Sequence, residues 1–155
     1  MLRLKLKRHQ LSNVTVLAQA VSIFLVDAIG SAAALNEDYT VNSPQHPARP
    51  GSAVMLFGTG GGQTNPPSVA GEVTPLELRP LLSVPQVYVL SSTTIPLNVE
   101  YAGAAPAELS GVTQINVRLP DVIPVGSPPG TLHLSVVETG VPFFSKTVTI
   151  SVSGN

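Results

Sequence analysis

YAGAAPAELSGVTQINVRLP, residues 101–120, decides how this chain is read. A strand ends at Tyr101, small turn-forming residues carry the chain from 102 to 111, and a new strand occupies 112–119. In that strand Ile115, Val117 and Leu119 share one face while Gln114, Asn116 and Arg118 share the other. Side chains of a strand point to opposite faces in turn, so the alternation spells a sheet with one dry and one wet side.

Similar segments lie on both sides. Residues 84–91 and 95–101 read as a hairpin across 92–94, with Val87 and Val89 set against Leu97 and Val99. Residues 131–138 place Leu132, Leu134 and Val136 inward and His133 and Ser135 outward. Residues 141–152 close the domain, with Val148, Ile150 and Val152 inward and Thr147, Thr149 and Ser151 outward. Glu138-Thr139-Gly140 joins these two as a second hairpin. The run SAVMLFG (52–58) is apolar on both faces, as in a strand buried on two sides. Between 65 and 83, Pro66, Pro67, Gly71, Pro75 and Pro80 predict a long excursion with at most a short edge strand. About six or seven strands at this spacing predict an all-β fold, an antiparallel β-sandwich.

Composition agrees. A chain of 155 residues accommodates one domain and a short extra segment. Apolar residues make up 43%, enough for a core, and 15 prolines with 13 glycines suit many short strands and no long helix. Cysteine is absent, which rules out a disulfide or a thiolate metal site. Arg3, Lys5, Lys7 and Arg8 crowd the start, leaving four basic against nine acidic residues, a net of −5, on the rest. A body of that sign repels phosphate backbones and disfavours nucleic-acid binding.

Residues 1–35 have two readings. A basic start, an apolar run and Ser31-Ala32-Ala33-Ala34 together resemble a secretory signal peptide. Alternatively, 23–35 belongs to the folded unit behind a poorly ordered stub. The apolar run is interrupted by Asn13, Gln19 and Ser22, too broken for a span of ~20 apolar residues.

Oxygen side chains at 36, 38, 40 and 42 have calcium-loop spacing without the required glycine or closing glutamate, so Asx-type turns are expected. The glycine-dense GTGGGQTNPP (58–67) lacks the lysine of a phosphate-binding P-loop and the spacing of a dinucleotide loop. Glycines allowing positive φ at a strand exit are the expectation there. His9, His46 and His133 have no neighbour at metal-pair spacing, and no G-x-S-x-G elbow exists. No catalytic, metal or cofactor residue is therefore assigned. For carbohydrate recognition the aromatic candidates are Tyr39, Tyr88, Tyr101 and the Phe143-Phe144 pair.

The segments IFLVDAIGSAAALNED, TVNSPQHPARPGS, VMLFGTGGGQT, YAGAAPAELSGVTQINVRLP and TVTISV resemble a family of uncharacterised carboxy-terminal Ig-like domains. Such domains recur in exported proteins of soil bacteria. The resemblance covers 23–153 and leaves 1–22 as an unmatched segment, expected to be poorly ordered or helical. It implies an immunoglobulin-like sandwich at the cell surface or outside the cell, following upstream domains of a larger protein, with no known activity, no catalytic residues to carry over and no cofactor. Tyr39 stands where the family tends to carry glycine, so that turn is expected to be built differently. Ser91-Ser92 replaces a usual Gly-Gly. The functional expectation is a non-enzymatic structural or adhesive module. The alternative is a module recognising a carbohydrate or protein through loops at the sandwich end.

Overall fold

In the computed structural model, residues 19–138 and 147–154 are described. Most of the segment 1–22, with His9, lies outside them, as do Phe143-Phe144 and the Thr139-Gly140 turn. The fold is all-β. Among the described residues nine strands run β1 (Ser22–Ile23), β2 (Ala34–Asn36), β3 (Ala53–Thr59), β4 (Arg79–Pro80), β5 (Gln86–Leu90), β6 (Thr94–Ala104), β7 (Val112–Arg118), β8 (Thr131–Val137) and β9 (Val148–Ser151). They pair antiparallel in the order β1-β3-β7-β6-β5-β8-β9, with β2 also on β3 and β4 also on β6. No helix among the described residues is long and apolar enough to cross a membrane.

The long strand β6 serves both layers. Its first rungs, Ile95↔Val89 and Leu97↔Val87, belong to β5, whereas Asn98 and all later rungs belong to β7. Within the β7 ladder Glu100 is an extra residue: Val99 pairs with Val117 and Tyr101 with Asn116. One inserted residue bends a strand and exchanges its two faces. Ile95, Leu97 and Val99 pack on the core before the bulge, and Ala102 is the core residue after it. The strand therefore does not end at Tyr101 as the sequence suggests. It continues to Ala104, and Ala102 and Gly103 pair with Ile115 and Gln114. The pairing across the first hairpin also differs from expectation. Leu90↔Thr94 leaves only three residues in the loop, closed by the Ser91 hydroxyl donating to Thr93 O (2.8 Å), so Val99 lies beyond β5.

The small residues after the bulge have a packing reason. Tyr101 lies over Gly103 and donates its hydroxyl to Ala104 O at 2.9 Å. A Cβ on Gly103 would overlap the Tyr101 ring and the Arg79 carbonyl of β4.

The two free edges meet, so the sandwich is barrel-like and all but closed. Along the outer edge of β9, Ala32 N donates to Thr149 O (2.8 Å) and Thr149 N to Gly30 O (2.9 Å). Ala48 N then donates to Ser151 O (2.9 Å) and Ser153 N to Ala48 O (2.8 Å). Both contacts, Ser31↔Thr149 and Ala48↔Val152, run parallel to β9. Inside sit Val54, Leu56, Val87, Val89, Ile115, Val117, Leu132, Leu134 and Val136, all fully buried, with Val148 and Ile150 closing the end. Val21, Ile23, Ala32 and Ala34 join that core, whereas Phe24, Val26 and Ile29 are exposed, so the segment before position 36 contributes part of its apolar residues to the packed interior.

One outward expectation on the last strands changes. Ser135 is buried (1% exposed); it stands opposite Tyr88 in the ladder, close enough for the larger side chain to shield the smaller. The last described rung of the β8–β9 ladder is Leu134↔Val148, and the expected turn at 139–140 lies outside the described residues.

Candidate functional site

Among the described residues, two sizeable clefts indent the surface. The larger, about 640 Å³, lies where the β3 exit, the 65–83 excursion and the β6–β7 turn meet. Its polar groups are engaged in holding these loops together. Thr59 Oγ1 donates to Gly111 O (3.1 Å), Gly61 N donates to Thr113 Oγ1 (3.3 Å), and Thr64 Oγ1 donates to Pro66 O (2.9 Å). The glycines of GTGGGQTNPP make room for the chain's own backbone: a Cβ on Gly58 or Gly60 would strike the carbonyls of Ser22 or Ala20. Gly60, at φ +79°, accepts a hydrogen bond from Ala20 N. Its glycine density thus serves a strand contact.

The second cleft, about 540 Å³, is formed by the loop from Asn36 to Arg49 with Ser52 and Ser153. Two buried asparagines brace this loop, Asn36 lining the cleft and Asn42 behind it. Asn36 Nδ2 donates to His46 O (2.8 Å) and to Thr40 Oγ1 (3.0 Å), and Asn42 Nδ2 donates to Asn36 Oδ1 (2.9 Å). Asn42 also reaches across to β9, accepting from Ser151 N (2.7 Å) and donating to Ser151 O (2.8 Å). It behaves there as a missing strand residue, satisfying an edge that would otherwise be left unpaired. Asp38 makes the Asx turn expected of it, its Oδ1 accepting from Thr40 N (3.1 Å) and Thr40 Oγ1 (2.6 Å). These bonds, the hydroxyl first, hold its carboxyl below the usual range. The Oδ1 atoms of Asn36, Asp38 and Asn42 are each committed to protein donors, as Asx-type turns and a strand-edge contact rather than as a calcium loop.

On the rim, Arg118 binds Glu100 (2.7 Å) and Glu37 (3.0 Å) and donates to Gly51 O (3.1 Å). Hydrogen bonds to Glu100 and then Glu37 push its guanidinium further above its ordinary range. His46 is exposed on the same loop, whereas His133 lies on β8 between Leu90 and Thr149, so the two are not brought together. Among the described residues no group of three His, Asp or Glu side chains is placed to hold a metal ion.

The tyrosines separate into different roles. Tyr101 is half-buried on β6, and desolvation raises its hydroxyl above the ordinary value. Tyr88 bonds to Gln86 within its own strand. Tyr39 is 76% exposed and adopts φ +63°, in the left-handed region. The turn is therefore not built differently for lack of glycine, because Tyr39 takes the conformation in which glycine is ordinarily found. Sequence reading missed Arg118 as the link between the bulge and this loop; its place on the wet face was the available signal. No protein-family model, curated protein or solved structure matches the chain.

Proposed function

We propose that this chain is a non-enzymatic structural module, immunoglobulin-like in kind, of an exported bacterial protein that carries further domains. The observation that supports this reading is the way segments near the two ends of the fold are joined. Gly30–Ala32 and Ala48 run parallel to β9, and Asn42 adds its amide to the same edge. Drawing parallel segments apart by their opposite ends strains all the intervening hydrogen bonds together, instead of one after another. Such an arrangement suits a link that must hold under tension. The chain's resemblance to carboxy-terminal domains of exported proteins points the same way. A second reading, recognition of a carbohydrate or protein by loops, draws on the exposed Tyr39.

Single-molecule pulling on the full chain between two handle domains tests the structural reading. The expected result is one cooperative rupture whose force falls in the Asn42→Ala variant. Gradual unravelling at low force, unchanged by that substitution, would overturn it.

A further inference from the structure

We propose that the small cavity between the loop 68–75 and Arg79 is a binding site for one buried water, held by Thr74 Oγ1 and Arg79 Nε. The site is independent of the tension-bearing role.

The polar atoms on its wall lead there. A buried polar group without a partner is destabilising, so such groups are ordinarily bonded to protein or to ordered water. Among the described residues three buried side-chain polar atoms have no protein partner: Thr74 Oγ1, Arg79 Nε and Ser127 Oγ. Two of the three belong to residues that wall this single cavity.

Neither residue is free to turn its atom out to solvent. Thr74 is 4% exposed, and its backbone is pinned on both sides, its N–H donating to Glu108 O (2.8 Å) and its carbonyl accepting from Ala107 N (2.9 Å). Arg79 is anchored at both ends. Its backbone pairs with Ala104 in the β4–β6 ladder, and its Nη1 donates to Pro67 O.

Size and chemistry name the occupant. The cavity measures about 10 Å³, the lower limit for one water and too little for a sugar or a phosphate. Glu72 shares the wall with Arg79, so the surroundings favour neither an anion nor a cation. Arg79 Nε–H can only donate, whereas the Thr74 hydroxyl can donate or accept. Water accepts from the first and bonds to the second in either sense. Ser110 adds a third hydroxyl-bearing or polar neighbour on the same wall, matching the roughly three bonds usual for a buried water.

Bridged in this way, Thr74 and Arg79 close the turn between them, whose Leu76 and Leu78 are exposed and so do little to hold it by packing. Ser68 and Ser110 line both this cavity and the larger cleft, so the water also fixes the wall of that cleft.

The test uses the full chain in solution. Magnetic relaxation dispersion of the water oxygen counts long-lived waters, and nuclear Overhauser spectra report water beside the Arg79 Nε–H. Thr74→Val keeps the shape and removes the hydroxyl. It is expected to lose one long-lived water, to shift the Arg79 Nε–H resonance and to move the amides of Ser68 and Ser110. Thr74→Ser restores a hydroxyl and should regain the water. A dispersion unchanged between the parent and Thr74→Val would overturn the proposal, as would a parent in which Arg79 Nε–H bonds directly to Thr74 Oγ1. If Thr74→Val does not fold, the parent's spectrum decides: a water cross-peak at Arg79 Nε–H supports the site, and its absence overturns it.

Discussion

Replacing Gly103 by alanine is expected to unsettle the junction of β6 and β4, because the new methyl has nowhere to go but into the Tyr101 ring and the Arg79 carbonyl. Overpacking of this kind costs about 1–3 kcal/mol, read as a lower urea midpoint with an unchanged slope. Tyr101→Phe keeps the ring and loses the bond to Ala104 O, at about 1 kcal/mol. Asp27 carries a pH dependence. Its carboxyl is held below the usual range by the Ser31 hydroxyl and by the amides of Ser31, Gly30 and Ile29. A carboxyl depressed in the folded state contributes stability above its unfolded pKa of about 3.9 and loses it as pH falls through the folded value. Asp27→Ala should therefore melt lower than the parent at neutral pH, and the two curves should converge in acid. A gap that stays constant down to about pH 2 would show that the carboxylate's charge is not what orders the loop.

Among the elements, β7, β8 and β9 are the ones the residues spell out plainly. Ile115 and Val117, Leu132 and Leu134, and Val148 and Ile150 each alternate with polar neighbours, and all are buried. Strand β6 is different, because Tyr101 is acceptable on either face and so conceals the change of phase at Glu100. The two- and three-residue strands β1, β2 and β4 have no periodicity to read. They are strands because β3 and β6 offer them partners. The second cleft was half legible: Asp38 folds onto Thr40 within its own turn, whereas the partner of Asn42 lies 109 residues away. Arg118 ties the bulge to that cleft through Glu100 and Glu37. Its removal in Arg118→Gln should lower the melting temperature slightly at low salt, and the difference should fade as salt is added, since exposed pairs are screened. A deficit that persists in concentrated salt would mean that the bond to Gly51 O carries the effect.

For the molecule as a whole, Asn42 is the side chain on which closure turns. Asn42→Ala leaves Ser151 N without its acceptor and Asn36 Oδ1 without its donor, at a cost of about 1–3 kcal/mol for the buried groups. Hydrogen exchange should accelerate at Ser151 more than at Leu134 or Val117, which lie within the ladders on both sides. Uniform acceleration would place the loss in global stability instead. The seam between β9 and the segments at Gly30–Ala32 and Ala48 also governs the order of assembly. During synthesis the early segments emerge long before the strand they flank, and contacts so distant in sequence are slow to form. Until that last strand arrives the cylinder has a slot the width of one strand. A neighbouring chain whose last strand has already emerged presents one that fits it, so crowded translation on one messenger would favour exchanged pairs.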